Sequence, residues 1–299
     1  MTHVATLISG RGAAALDDAL LARARAVLPA PAEPVWLAAG IAADLPFSAT
    51  GENDNRVLAA RLRASLADAP LDVVVQPSAH RRKRLLIADM DSTMIAQECV
   101  DELADRVGLK AHVAAITERA MRGEIAFEPA LRERVALLKG LPASVIDEVL
   151  AERIRLTPGA RTLVHTMKAN GAHTCLVSGG FTLFTVRIAA SIGFDEHRAN
   201  RLVIEGGKLA GRVEEPILGG EAKRATLAAL TAELKLDIAD TLAVGDGAND
   251  LAMLQSAGLG VAYRAKPDVA ARAGARIDHG DLTALLYVQG YKPEEFVPA

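Results

Sequence analysis

The stretch LLIADMDSTMIAQE, residues 85–98, sets two carboxylates, Asp89 and Asp91, directly after an apolar run and follows them with Ser92 and Thr93. Asp, Ser and Thr also favour helix starts, so a polar turn that caps a helix is the ordinary reading of these four residues. Three further segments strengthen a chemical reading. HTCLV runs into Ser178-Gly179-Gly180, TLAV runs into Gly245-Asp246-Gly247-Ala248-Asn249-Asp250, and GEAKRATL places Lys223 at the start of a predicted helix. Apolar runs that stop this abruptly read as buried strands of a parallel sheet. In open parallel sheets ligands bind outside the carboxyl ends of the strands, so these polar groups are expected along one edge.

Asp89, Asp91, Asp246 and Asp250 would then crowd together. Two unit charges 4 Å apart repel by about 4 kcal/mol at an effective dielectric near 20. Several such pairs exceed what a helix N-terminus offers a carboxylate, so a cation is expected among them. Hard oxygen donors with no histidine or cysteine beside them favour Mg²⁺. Carboxylates around Mg²⁺, a lysine, and a Ser-Gly turn with free amides are the equipment for holding a phosphoryl group.

The elements that must position these groups follow from the patterning. From Leu85 onward strands alternate with longer helical stretches, which predicts an α/β unit with a parallel sheet. LLIAD, HTCLVSGG and TLAVGDG supply strands, with GLGVAY and ARIDHG as further candidates. ANRLVIEGGKLAGRV alternates around Gly206-Gly207, as a hairpin would. Residues 95–157 are mainly helical in pattern and fall between the first two sheet strands, where an inserted cap would sit. The first eighty residues read strand, helix, strand, strand, helix, strand, the ferredoxin-like α+β order. A boundary is expected near residue 80, because the basic run HRRKR at 80–84 is better solvated than packed. Gly10-Arg11-Gly12 after VATLIS loosely matches a dinucleotide fingerprint, but the acidic residue that would hold a ribose is missing, so a strand-to-helix turn is the preferred reading.

Composition excludes several classes. With 299 residues, 51% hydrophobic and 24% charged, the chain can bury a large core in one or two domains. A formal net charge of −3 offers no basic footprint for nucleic acid or an anionic membrane. Two cysteines, Cys99 and Cys175, suggest neither a disulfide framework nor a cysteine zinc site. No segment reaches the roughly 20 apolar residues of a membrane helix, and the N-terminus lacks a signal pattern, so a reducing cytoplasm is expected.

The set Asp89-x-Asp91-x-Thr93, Ser178, Lys223 and Gly245-Asp246-x-x-Asn249-Asp250 resembles the haloacid dehalogenase superfamily of phosphohydrolases, from residue 85 to about 290. DMDSTMIAQECVDELA, FEPALRERVALLKGL, LVSGGFTLF and AVGDGANDLAML narrow the resemblance to the phosphoserine phosphatase family. That resemblance implies a Rossmann-like core with an inserted helical cap. It implies hydrolysis of phosphoserine in the last step of serine synthesis: Asp89 as nucleophile, Asp91 as acid and base, and Mg²⁺ on the Asp89 carboxylate, the Asp91 carbonyl and Asp246. Asp250 and Asn249 would order the metal's surroundings or touch substrate, while Ser178, the Gly179 amide and Lys223 would hold phosphate oxygens. Glu98 would meet the substrate ammonium and Arg134 its carboxylate, with Met121 and Phe127 closing the pocket; without the resemblance these four read as solvated helix charges and core residues. The amino-terminal unit, residues 1–80, resembles ACT-type regulatory modules and implies a homodimer and a possible amino-acid ligand, ahead of a phosphatase unit at 81–299. The alternatives are a phosphotransferase that passes the phosphoryl group to homoserine, and a non-catalytic amino-acid sensor.

Overall fold

The computed structural model describes residues 1–10, 15–49 and 54–298. The Gly10-Arg11-Gly12 turn thus falls largely outside the described residues. The chain opens with β1 (His3–Ser9), β2 (Val35–Ala38), β3 (Ala42–Phe47) and β4 (Leu71–Pro77), an antiparallel sheet of order β2-β3-β1-β4. Helices Asp18–Arg25 and Asn55–Ser65 complete the βαββαβ sequence, each started by an aspartate, Asp17 or Asp54, whose side chain accepts a first-turn amide. The sheet is ferredoxin-like, as expected. Ala5 and Leu7 of β1 face the helices with Leu21 and Leu62. Ile8, Ala42 and Val74 belong to the same apolar cluster as Tyr287 and Val288. This sheet therefore buries both faces, one of them on the rest of the chain.

The second sheet is parallel: β5 (Leu85–Ala88), β6 (His173–Phe181), β7 (Glu196–Asn200), β10 (Thr241–Gly245), β11 (Leu259–Tyr263) and β12 (Ala275–Ile277), in order β12-β11-β10-β5-β6-β7. A hairpin, β8 (Leu202–Glu205) and β9 (Lys208–Val213), follows β7. β5 is completely buried and flanked by β10 and β6, with Ala88 level with Val244 and Leu176. From β5 the chain builds outward to β6 and β7, then returns to lay β10, β11 and β12 on the other side. The strand order therefore reverses beside β5, which opens a crevice there.

Residues 95–157 form the helical insertion, with helices Cys99–Asp105, Lys110–Met121, Phe127–Ala136 and Val145–Glu152. The hairpin joins it. Gly140 N donates to Leu209 O, Leu209 N to Leu141 O and Ala143 N to Gly207 O, each at 2.9 Å. The insertion is thus a two-part body, whereas the sequence pattern places only its helical part.

The basic run at 80–84 departs from expectation. Arg81 forms a bidentate pair with Asp44 and donates to the carbonyls of Tyr287 and Val288. Lys83 is buried, its ammonium on Ala239 O at 2.7 Å and its pKa lowered to about 8 by burial. His80, Arg82 and Arg84 are exposed, and of these Arg82 lies over the Tyr291 ring and pairs with Glu295. Two of the charges read as solvated, Arg81 and Lys83, are here part of a packed joint, because carboxylate and carbonyl acceptors remote in sequence satisfy them.

Candidate active site

β5 delivers Asp89 to the middle of the parallel sheet, where Asp89 N donates to Val244 O. Its carboxylate Oδ1 accepts Met90 N at 2.8 Å and lies 2.6 Å from Lys223 Nζ. The chain then turns sharply. Asp91 is extended, Ser92 takes the left-handed φ of 54°, and Ile95 N closes back on Met90 O. A left-handed serine costs on the order of 1 kcal/mol, and the turn it makes brings the following chain back onto Asp91. Asp91 Oδ1 accepts Cys99 N at 3.0 Å and Oδ2 accepts Ser178 Oγ at 3.4 Å. The capping reading of this aspartate is thus also realised, eight residues downstream at the start of helix Cys99–Asp105.

The other strand ends converge on the same point. Lys223, in the first turn of helix Gly220–Glu233, is fully buried between Asp89 and Asp250, 2.7 Å from Asp250 Oδ1. Asp250 Oδ2 accepts the amides of Asp246 and Gly247, so both Asp250 oxygens are engaged. Asp246 Oδ1 accepts Thr93 Oγ1 at 2.9 Å. Among the described residues no hydrogen bond reaches Oδ2 of Asp89 or of Asp246, and the buried Asn249 Oδ1 has no partner. At the C-terminal end of β6, Ser178 Oγ accepts Gly180 N. Asn200 Nδ2 holds the carbonyl of Gly179.

Burial raises the pKa of Asp89 well above the usual carboxylate range, and the Asp250 charge adds to the rise. Asp246 is pushed up to about 7 by burial and by Asp250, and Asp91 is raised by burial. Lys223 stays charged despite its burial, because Asp250 and Asp89 outweigh the desolvation. One lysine cannot neutralise four carboxylates. Asp89, Asp246 and Asp250 offer oxygens within 4.8 Å of one another. Unbonded oxygens on Asp89 and Asp246, with an unpartnered amide oxygen on Asn249 nearby, suit a small hard cation. The doubly engaged Asp250 is better placed to orient its neighbours than to ligate.

A cavity above this cluster is lined by Asp89, Asp91, Gly179 and Asn249 from the core and by Glu98, Met121, Phe127 and Arg134 from the insertion. Ser178, Lys223, Asp246 and Asp250 lie behind that lining. Phe127 lies so close over Gly179 that a Cβ there would sit 2.5 Å from its ring, and a Cβ on Gly247 would sit 2.5 Å from Met121 Sδ. A side chain at either position would push these insertion residues aside, so the two glycines let the insertion lie close on the core. Lys266 and Glu118 pair across the same seam at 2.6 Å. Glu98 Oε1 accepts Ser92 Oγ at 2.6 Å, and burial followed by the Asp91 charge pushes its pKa well up. Arg134 is buried, with Nε on Ala130 O and Nη1 on Thr117 Oγ1.

The structure brings all twelve sequence-predicted residues to one locus. Sequence reasoning gave no role to Ser92, Asn200 or Thr117 and treated Thr93 only as part of a motif. The one available signal was adjacency to the Asp-x-Asp stretch, which singles out Ser92 and Thr93 but neither of the others.

The sequence profile of the haloacid dehalogenase-like hydrolases matches residues 86–255. The phosphoserine phosphatase of Polaromonas sp. strain JS666 is 50% identical over 208 residues, which span 68% of this chain and 88% of the relative. A structure described as a phospho-aspartyl intermediate analogue of phosphoserine phosphatase superposes with a TM-score of 0.66 at 39% identity, over 69% of this chain and 98% of the other. A haloacid dehalogenase family hydrolase from Salmonella enterica serovar Typhi matches 96% of this chain and 98% of its own, with a TM-score of 0.81 and 29% identity. The chain belongs to the haloacid dehalogenase-like hydrolase family.

Proposed function

We propose that this protein is a phosphoserine phosphatase, which hydrolyses O-phospho-L-serine to serine and phosphate. The observation that carries the reading is one cavity lined both by the aspartate pair and by Glu98 and Arg134. One set suits a phosphate ester and the other the two charges of an amino acid. The 50% identity to the Polaromonas phosphoserine phosphatase supports the same substrate.

In this reading Asp89 attacks phosphorus, forming an aspartyl-phosphate as the bond to the serine oxygen breaks. Asp91, whose pKa burial raises, gives its proton to that oxygen and then takes one from the water that cleaves the aspartyl-phosphate. Lys223, 2.6 Å from Asp89 Oδ1, pairs with the attacking carboxylate and would hold a phosphate oxygen beside it. Ser178 and the Gly179 amide hold phosphate oxygens. Asn249 holds substrate or the metal's surroundings. Asp89, the Asp91 carbonyl and Asp246 would hold Mg²⁺, with Asp250 behind them; when bound, the ion neutralises charge on the phosphoryl oxygens. Glu98 takes the ammonium and Arg134 the carboxylate, through a charge-assisted hydrogen bond, while Met121 and Phe127 exclude water.

Residues 1–80 are read as an ACT-like module that supports a homodimer and offers a site for an amino-acid ligand, residues 81–299 as the phosphatase unit, and the cytoplasm as its place. The test is phosphate release from L-phosphoserine beside phosphothreonine, phosphoethanolamine and an aryl phosphate, with Mg²⁺ and with chelator. A Mg²⁺-dependent preference for phosphoserine is expected. Equal turnover of all four would remove Glu98 and Arg134 as specificity residues, and phosphohomoserine formed in the presence of homoserine would replace hydrolysis with transfer.

A further inference from the structure

Arg134 is held by more than its own helix. Its Nη1 donates to Thr117 Oγ1 at 3.0 Å, and Thr117 Oγ1 lies 2.7 Å from Asp101 Oδ1 and 3.1 Å from Val113 O. A hydroxyl has one proton to donate. The shorter contact to a carboxylate takes it, as charge-assisted bonds are shorter and stronger. The proton order is then fixed: Arg134 donates to Thr117, and Thr117 donates to Asp101. The three residues stand on three different helices of the insertion, Phe127–Ala136, Lys110–Met121 and Cys99–Asp105. Thr117 and Arg134 are 3% and 2% exposed, so neither finds bulk water as a substitute partner. Nε is spent on Ala130 O. Among the described residues Nη2 makes no hydrogen bond, and Arg134 lines the cavity.

We propose that Thr117, backed by Asp101, is a positioning residue for substrate selection. The hydroxyl occupies Nη1 and the helix carbonyl occupies Nε, which leaves Nη2 as the face of the guanidinium presented to the carboxylate of the amino-acid substrate. Asp101 sets which way the Thr117 proton points, so that the hydroxyl can only accept from Arg134. This inference rests on the phosphoserine reading of the cavity and adds to it the device that aims the arginine.

The experiment measures KM and kcat for phosphoserine in the full chain carrying Thr117→Val, Thr117→Ser, Asp101→Asn, Arg134→Ala, or Thr117→Val with Arg134→Ala. Phosphoethanolamine, which lacks the carboxylate, is run in parallel as substrate or competitive inhibitor. Loss of a hydrogen bond to a charged group predicts a KM for phosphoserine raised by about 10- to 100-fold in Thr117→Val. In that variant kcat and the phosphoethanolamine constant stay within about twofold. Thr117→Ser, which keeps the hydroxyl, restores phosphoserine binding, and Asp101→Asn gives a smaller loss of the same kind. In the Arg134→Ala background Thr117→Val adds nothing further.

If Arg134→Ala loses phosphoserine binding while Thr117→Val retains it, the relay is wrong and the substrate reading stands. If Arg134→Ala itself leaves discrimination unchanged, the substrate reading falls and the relay with it. Equal losses on both ligands in Thr117→Val would mark a packing role and overturn the proposal. Should Thr117→Val fail to fold, Asp101→Asn and Thr117→Ser carry the same comparison.

Discussion

Two places in this molecule bury charge, and they treat it oppositely. At the joint between the two sheets Asp44 takes both arms of the Arg81 guanidinium at 2.6 Å and the hydroxyl of Thr6. Nearby, Asp72 accepts the amides of Asp278, His279 and Gly280. Every carboxylate there is answered by donors of the chain itself. At the strand ends four carboxylates share Lys223, and among the described residues no hydrogen-bond donor reaches Oδ2 of Asp89, Oδ2 of Asp246 or Oδ1 of Asn249. The first arrangement is complete as it stands and holds the structure together. The second is completed only by something the chain does not encode, which marks it as the place where chemistry is done.

That contrast can be broken by experiment. The largest effect is expected from Asp89→Asn, which removes the nucleophile and should lower kcat by between ~10⁴ and ~10⁶, the range for deletion of a catalytic group that forms a covalent intermediate. Its melting temperature in chelator should stay at or above that of the parent, since one of four crowded carboxylates has become neutral. A variant that unfolds instead would make Asp89 a structural residue like Asp44. Next comes Arg81→Ala, which strands Asp44 in the interior and should destabilise the protein by about 3–5 kcal/mol. Urea unfolding measures this, and the loss should be the same with and without Mg²⁺. Activity of the folded fraction should be unaffected; a loss of kcat would tie the joint to the chemistry.

The smallest effect is a pH dependence. The pKa of Asp246 rises on folding to about 7, and those of Asp89 and Asp91 rise too. For an acid raised in this way the folded state holds a proton that the unfolded state releases. Its stabilising contribution is complete below the unfolded pKa near 4 and is lost as pH climbs through about 7. In chelator the melting temperature should therefore fall between pH 4 and pH 7. Added Mg²⁺ should reduce the fall, its benefit growing toward neutral pH. Parallel melting curves with and without the ion would refute the view that the cluster awaits a cation.

The catalytic edge was legible in the sequence because each of its parts is local: an apolar strand, then a carboxylate or a Ser-Gly turn within one or two residues. Asp89, Ser178 and Asp246 needed only the rule that parallel strands end together. The joint was misread for the converse reason. Nothing near the run HRRKR announces the acceptors of Arg81, which lie at Asp44, Tyr287 and Val288. Thr117 was silent because a threonine in a helix carries no signal, and its two partners stand on other helices 16 and 17 residues away. The hairpin could be recognised by its alternation and its paired glycines, but not assigned to the insertion. The bonds that bind it there span dozens of residues.

That attachment decides how the cavity can be emptied. The insertion leaves and re-enters the core through two segments zipped to each other, Ala96 N donating to Arg155 O and Ile95 bridging Leu156. The hairpin leaves and returns through a second pair, just beyond Asn200. Three backbone hydrogen bonds weld the 140–143 loop of the insertion to the hairpin between these stalks. The door of this enzyme is therefore not a loop that melts aside. It is a plate carried on four lengths of chain, so any opening of the cavity has to bend all four, and one of them begins next to the asparagine that grips the Gly179 carbonyl.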